Sequence, residues 1–171
     1  METYGFIHER LDIKILILFV LRHLPAPVDP ETLADLILID GGINYFEYKQ
    51  CLTELITTHQ VEERDGLCVI TAQGKENGAT LESSLPISVR NIAEETLAPV
   101  ARALQRDSLI CTEHTNTENG TVVRLSLSDG VSNILELKIL AGDEKQAKVM
   151  EKNFRKDAEG FYDRFINSLC E

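Results

Sequence analysis

The stretch VEERDGLCVITAQGKE, residues 61–76, decides the fold of the N-terminal half. Two short runs of strand-forming residues lie on either side of Asp65-Gly66. Asp-Gly is favoured in two-residue type I′ turns, because both central positions need a positive φ. The stretch therefore predicts a hairpin with strands at 61–64 and 67–71. Since a two-stranded hairpin is marginal alone, we expect it to pack against the helices that precede it.

Three helices are predicted before this hairpin and one directly after it. The first covers about residues 9–23, is apolar on most sides and ends in a proline-rich segment. The second follows the N-cap candidate Asp29, and the third covers about 44–58 with Asn44 as its cap. Thr71 suits the N-cap of the fourth helix. The order of elements makes the hairpin a wing attached to a helix-turn-helix.

The segment LTELITTHQVEERDGLCVITAQGKE resembles the end of the recognition helix, the wing and the next helix of bacterial winged-helix regulators. His59 stands where that family often has Gly or Asn, so it would adopt a left-handed turn, which His tolerates better than β-branched residues do. Five residues match the spacing of the family: Leu52, Leu55, Thr71, Gly74 and Lys75.

The second half is predicted to be a small α+β unit. A helix opened by Pro86 continues to about residue 106, with a kink or break near Ala98 because Pro99 lies inside it. The turn signals NTENG and SDG separate three strands, and one charged helix with phenylalanines at helical spacing closes the chain. We expect those phenylalanines to pack on the sheet or on a partner subunit. The strands are predicted at about 107–115, 121–128 and 132–140.

The whole chain resembles an uncharacterised bacterial family with an N-terminal winged helix and a C-terminal α+β domain; LPISVRNIAEE, residues 85–95, belongs to that resemblance. The predicted fold class is α+β: a winged helix-turn-helix followed by a small antiparallel three-stranded sheet packed with helices. The predicted domains are residues 1–80, a connecting helix at 81–106, and 107–171.

Charge bears directly on function. The chain has a net charge of −11, and residues 1–80 hold six basic and thirteen acidic residues, a net of −7. Proteins that bind DNA neutralise several phosphates with Lys and Arg, so these values oppose nucleic-acid binding. A homodimer would double the few available cations. An acidic surface suits a protein-interaction module equally well.

Within the winged-helix interpretation, the third helix supplies the candidate DNA-reading side chains. Asn and Gln pair with adenine edges, and Lys reaches guanine or phosphate. Arg64 in the wing and Lys75 after it would contact backbone phosphates. The candidates on the third helix are Asn44, Tyr45, Lys49 and Gln50.

No motif predicts catalysis, a cofactor or a metal site. The four cysteines are scattered, and a reduced, mostly buried state is expected for them in a cytoplasmic protein. Cys111 and His114 should point to opposite faces of a strand, with the thiol buried and the imidazole exposed. The longest apolar run, residues 15–21, is far shorter than the roughly 20 residues of a membrane span, so no membrane association is expected.

The sequence favours two functions, and an enzyme of unrecognised type is a third alternative. The first is a cytoplasmic, homodimeric transcriptional regulator that binds duplex DNA through the third helix and the wing, with an effector that the sequence does not identify. The second is a non-enzymatic protein-interaction module that uses the same scaffold without binding DNA.

Overall fold

A computed structural model describes residues 7, 9–39, 41–118 and 120–170. The chain is a mixed α+β protein that divides into two compact units, Met1–Leu104 and Gln105–Glu171. Within the described residues, no helix has the length and apolar character needed to cross a membrane.

The first unit contains the predicted succession of three helices, a hairpin and a fourth helix. Its elements are α1 (Arg10–His23), α2 (Pro30–Ile37), α3 (Tyr45–Thr57), β1 (Val61–Arg64), β2 (Leu67–Ile70), α4 (Ala72–Leu81) and a 3-10 turn (Glu82–Ser84). The long helix α5 (Ile87–Leu109) begins in this unit. The buried side chains of the first unit form one core, and α1 is buried in it almost continuously from Ile13 to Leu21.

Local chemistry sets the boundaries of these helices. Asp29 accepts hydrogen bonds from the amides of Glu31 and Thr32, so it caps α2 as predicted. The predicted caps of α3 and α4 are confirmed in the same way: Asn44 accepts from an amide of the first turn, and Thr71 accepts from that of Gly74.

The hairpin has the predicted turn. Asp65 and Gly66 have φ values of 54° and 77°, and strands β1 and β2 pair in antiparallel register. His59, with φ 57°, takes the predicted left-handed conformation before β1. On its other edge β2 makes one isolated bridge, in which the amide of Cys68 donates to the carbonyl of Val28 over 2.7 Å.

The second unit is a three-stranded antiparallel sheet packed with helices, as predicted. Its strands lie in the order β3-β4-β5, and α6 packs on the sheet. Its core includes Val123, Leu125 and Phe154. The elements are β3 (Ile110–Thr117), β4 (Gly120–Ser128), β5 (Asn133–Ala141), α6 (Glu144–Lys156) and α7 (Ala158–Cys170).

Two predicted features of the helices are wrong. The break predicted near Ala98 as one of two alternatives is absent, since α5 runs through Pro99 to Leu109, and β3 begins at Ile110 and not at residue 107. Pro99 and Glu95, whose carbonyl loses its helical donor, are both exposed, so water can replace the missing bond. The closing helix is two helices, because Asp157 (φ −150°, ψ 51°) interrupts it; Asp favours such terminal positions over helix interiors.

The predicted helical stripe of phenylalanines is only partly buried. Phe154 is in the core and Phe161 packs against its edge. Phe165 is 37% exposed and Leu169 is 69% exposed, so the end of α7 keeps an apolar face open.

Candidate nucleic-acid interface

The outer face of α3 lies opposite the side that carries its buried residues. Tyr48, Cys51, Leu52 and Leu55 are buried against the first unit. The exposed residues Phe46, Gln50, Thr53 and Thr57 recur at intervals of three and four on the other side of the helix. We call these four residues the outer stripe of α3. It is the part of the helix that can approach a large partner.

Asn44 is occupied by the cap of α3. Its Oδ1 accepts from the amide of Glu47 over 2.9 Å, and its Nδ2 donates to Oε2 of Glu47 over 2.8 Å. The Glu47 carboxylate also accepts from the Asn44 amide, which completes a capping box. A contact between Asn44 and a base would have to break this arrangement.

Lys49 lies over aromatic rings next to the outer stripe. Its Nζ is 5.4 Å from the ring centre of Tyr45 and 5.9 Å from that of Tyr48. Tyr45 is half exposed and Tyr48 is fully buried. Within the described part of the chain Lys49 forms no ion pair, so its charge is available to an external anion.

The second acid of α3, Glu54, is directed towards α1. Nζ of Lys14 lies 2.6 Å from its Oε2, and Arg10 donates to its Oε1. The hydrogen bond from Lys14 and the charges of Lys14 and Arg10 lower the pKa of Glu54. Its charge is therefore compensated inside the unit.

The hairpin places its cation beside an acid of the same strand. Arg64 donates to Oε2 of Glu62 through Nε over 2.8 Å and also through Nη2. Lys75 is exposed in the first turn of α4 and, among the residues described, makes no ion pair. Of the six predicted contacts, Tyr45, Lys49 and Gln50 lie in the first two turns of α3 and Asn44 is its N-cap, whereas Arg64 and Lys75 belong to other elements.

Phe46 was not among the predicted contacts, yet it is 75% exposed in the first turn of α3. A signal was available, because Phe46 precedes the buried Tyr48 by two positions, which turns it about 200° around the helix. The aromatic character of Phe46 favoured burial, but its helical position places it outside.

A cavity of about 150 Å³ lies between the end of α1, the proline-rich loop and β2. Leu21, Leu24 and Ile70 are among its apolar lining residues, and Arg22 and Lys75 also contribute. Arg22 is paired with Glu82 at 2.5 Å. Burial raises the pKa of the lining thiol of Cys68 to about 11, so this thiol is neutral at pH 7.

In the second unit, a depression of about 420 Å³ is lined by the charged residues Asp143, Glu144, Lys145 and Lys148. Cys111 and His114 lie on opposite faces of β3 as expected, but the predicted burial is reversed: the thiol is exposed, and His114 is half-buried 3.1 Å from Glu151. The core position of Ile110 sets this alternation. Cys170 is also exposed, so the expected burial of most cysteines is wrong for half of them. Within the described chain no group of His, Cys, Asp and Glu has the arrangement of a metal site.

A family model described as a domain of unknown function, DUF4364, matches residues 13–169. No curated protein and no solved structure matches the chain.

Proposed function

The chain belongs to the DUF4364 family, and from the geometry of its first unit we propose that it is a transcriptional regulator that binds duplex DNA as a homodimer. In this proposal Met1–Leu104 contains a winged helix-turn-helix. The outer stripe of α3 enters the major groove, and the hairpin β1–β2 contacts the adjacent backbone. The protein acts in the cytoplasm by binding, without a catalytic step.

The main support for this proposal is that both acids of α3 interact with groups of their own unit. Glu47 is held in the capping box and Glu54 is compensated by Arg10 and Lys14. The outer stripe holds no charged residue, and the neighbouring cation Lys49 is free of ion pairs within the described residues. The face that would contact DNA should therefore repel phosphate less than the net charge of −7 for residues 1–80 indicates.

The order and pairing of the elements support the winged-helix assignment. Three helices share one core, and the hairpin follows α3 after a left-handed residue. The bridge between Val28 and Cys68 ties the loop after α1 to the wing. This bridge helps to hold the hairpin beside the helices. An isolated two-stranded hairpin is only marginally stable, so it needs such contacts.

The proposed phosphate contacts are Lys49, Lys75 and Arg64. Lys49 and Lys75 can bind phosphate without giving up an ion pair, whereas Arg64 must exchange Glu62 for the phosphate. Two copies would present six such cations, which is why the proposal includes a homodimer. In this proposal Tyr45 orients Lys49 through a cation–π contact with its ring, and Asn44 remains the N-cap of α3.

The second candidate is a protein-interaction module, and the net charge of −11 favours it. Such a charge repels the DNA backbone at long range but does not oppose binding to a basic or neutral protein surface. This function would use the same exposed side chains of α3 without any contact to phosphate.

A titration of a fluorescent mixed-sequence duplex with the full chain separates the two candidates. At about 50 mM salt we expect binding that weakens steeply as salt is added. Lys49→Ala should reduce the slope of log K against log salt by about 0.9 for each phosphate that the protein no longer neutralises. Lys152→Ala, an exposed lysine of α6, is the charge-matched control and should leave the slope unchanged.

Retention of the far-UV circular dichroism spectrum excludes unfolding of either variant, and light scattering gives the mass of the free and bound protein. If the folded wild type does not bind the duplex at about 50 mM salt, the regulator proposal is wrong and the interaction module takes its place.

A further inference from the structure

Phe46 is the most exposed aromatic side chain among the described residues, and it lies in the outer stripe of α3. It is 75% exposed, in the first helical turn, and one turn from Gln50. An aromatic ring at this place cannot contribute to the core of its own unit, because Tyr48 and Leu52 already fill the inward face. Phe46 is therefore available to a partner.

The neighbours of Phe46 indicate the chemistry of that partner. Within the described residues the side-chain amide of Gln50 has no hydrogen-bond partner, so its donor and acceptor are both free. Lys49 brings a positive charge beside the stripe, and the acids of α3 are engaged elsewhere. A surface that combines a free amide, a cation and an apolar ring suits the major groove of DNA.

One base pair presents all the complementary groups. Adenine offers N7 and N6 to the amide of a glutamine, and thymine carries the only methyl group in the major groove. G·C pairs have no apolar group there. From this correspondence we propose that the outer stripe of α3 reads A·T pairs, with Gln50 on adenine and the ring of Phe46 on the 5-methyl group of thymine.

This inference rests on the proposed DNA binding and adds its specificity. The contact between Phe46 and the methyl group is apolar and does not depend on the phosphates. It should therefore be visible as a preference between two duplexes of equal charge. The phosphate contacts of Lys49 and Lys75 would contribute equally to both.

The test compares an alternating A·T duplex with the same duplex carrying deoxyuridine in place of every thymidine. Uracil keeps the hydrogen-bonding groups of thymine and lacks only the methyl group. We expect the full chain to bind the thymine duplex about fourfold more tightly for each methyl group buried per site. Phe46→Ala should bring the ratio of the two affinities close to one.

Ile87→Ala provides the matched control, because Ile87 is a similarly exposed apolar residue, 67%, at the start of α5. This variant should keep the wild-type ratio. Since Phe46 lies outside the core, its replacement should leave the circular dichroism spectrum unchanged. Gln50→Ala should weaken binding to both A·T duplexes and keep the preference for thymine.

Two results would contradict the inference in different ways. If wild type binds both duplexes with equal affinity, or if Phe46→Ala keeps the preference for thymine, the methyl contact is wrong while DNA binding stands. If the folded wild type binds neither duplex at about 50 mM salt, the regulator proposal fails as well, and Phe46 belongs to a protein-binding surface.

Discussion

Lys14 of α1 and Glu54 of α3 form an ion pair in which Nζ lies 2.6 Å from Oε2. Arg10, one turn earlier in α1, contacts the other carboxylate oxygen of Glu54. Two cations of the first helix thus converge on one acid of the proposed recognition helix. This arrangement fixes α3 on α1 and, at the same time, removes an uncompensated negative charge from the proposed DNA-binding element.

Glu54→Gln should increase affinity for a mixed-sequence duplex. The change leaves Arg10 and Lys14 only partly compensated, which adds one positive charge near α3. At a distance of about 10 Å in water, one charge corresponds to an affinity gain of about twofold at low salt. Glu95→Gln in α5 makes the same change of charge at an exposed site with no ion pair among the described residues. Equal gains in the two variants would show that only net charge matters.

Tyr48→Phe should destabilise the first unit by about 1 kcal/mol. The hydroxyl group of the buried Tyr48 donates to the carbonyl of Pro30 over 2.7 Å and so joins α3 to the start of α2. Urea unfolding followed by circular dichroism measures the change in midpoint. Tyr162→Phe removes a hydroxyl group with no hydrogen bond among the described residues and is the control. Equal shifts in the two variants would contradict the structural role of this bond.

The sequence predicted those features of the fold that depend on near neighbours in the chain. The side chains of Asp29, Asn44 and Thr71 each accept hydrogen bonds from amides at most three residues later. Residue type and position in the sequence were therefore enough to identify them as caps. The Asp65-Gly66 turn is equally local, since its conformation depends on the φ preferences of two residues. Local rules therefore determined most boundaries in the first unit.

Long-range contacts limited what could be predicted about the candidate site. Arg10 and Glu54 are 44 positions apart, so no local pattern shows that the charge of Glu54 is compensated. In the net charge, Glu54 is one of the acids that oppose DNA binding. In the structure, its carboxylate is paired with Arg10 and Lys14. The exposure of Phe46 follows from its position two residues before the buried Tyr48, a local signal that the predicted set of contacts did not use.

Acid should weaken the second unit partly through Glu159. Arg106 donates to both of its carboxylate oxygens, at 2.9 Å to Oε1 and 2.7 Å to Oε2, and this holds the pKa of Glu159 below its usual value. A lowered pKa contributes stability above the ordinary value of about 4.3, and that stability is lost as the pH falls through the lowered value.

Glu159→Gln should therefore reduce stability by less than about 1 kcal/mol at pH 7, because the pair is half exposed, and the deficit should shrink as the pH falls through the lowered pKa of Glu159. Urea midpoints measured at a series of pH values from 7 downwards follow the difference. Glu118→Gln, in an exposed turn with no ion pair in the described chain, is the control and should leave the urea midpoint at pH 7 unchanged. A deficit that stays the same over the whole pH series would assign the loss to packing.

Gly74→Ala should be among the most damaging single-atom additions to the first unit, at about 3 kcal/mol. A Cβ atom at Gly74 would lie 2.1 Å from the carbonyl oxygen of Gln60 and 3.0 Å from Cγ1 of Ile70. The clash with Gln60 involves backbone, so α4 must move away from the residue that precedes β1. This close approach explains why the contact between the segment before the hairpin and the start of α4 requires glycine here.

Gly160→Ala is the matched control, because the three atoms nearest to its new Cβ all belong to the carboxylate of Asp157, a side chain that can rotate away at the cost of an exposed ion pair with Arg164. Alanine also favours the helical conformation of α7 by up to about 1 kcal/mol, so the net change should stay within about that value. Thermal and urea unfolding of both variants provide the comparison. If Gly74→Ala costs no more than Gly160→Ala, α4 does not pack as closely against Gln60, at the base of the hairpin, as the structure indicates.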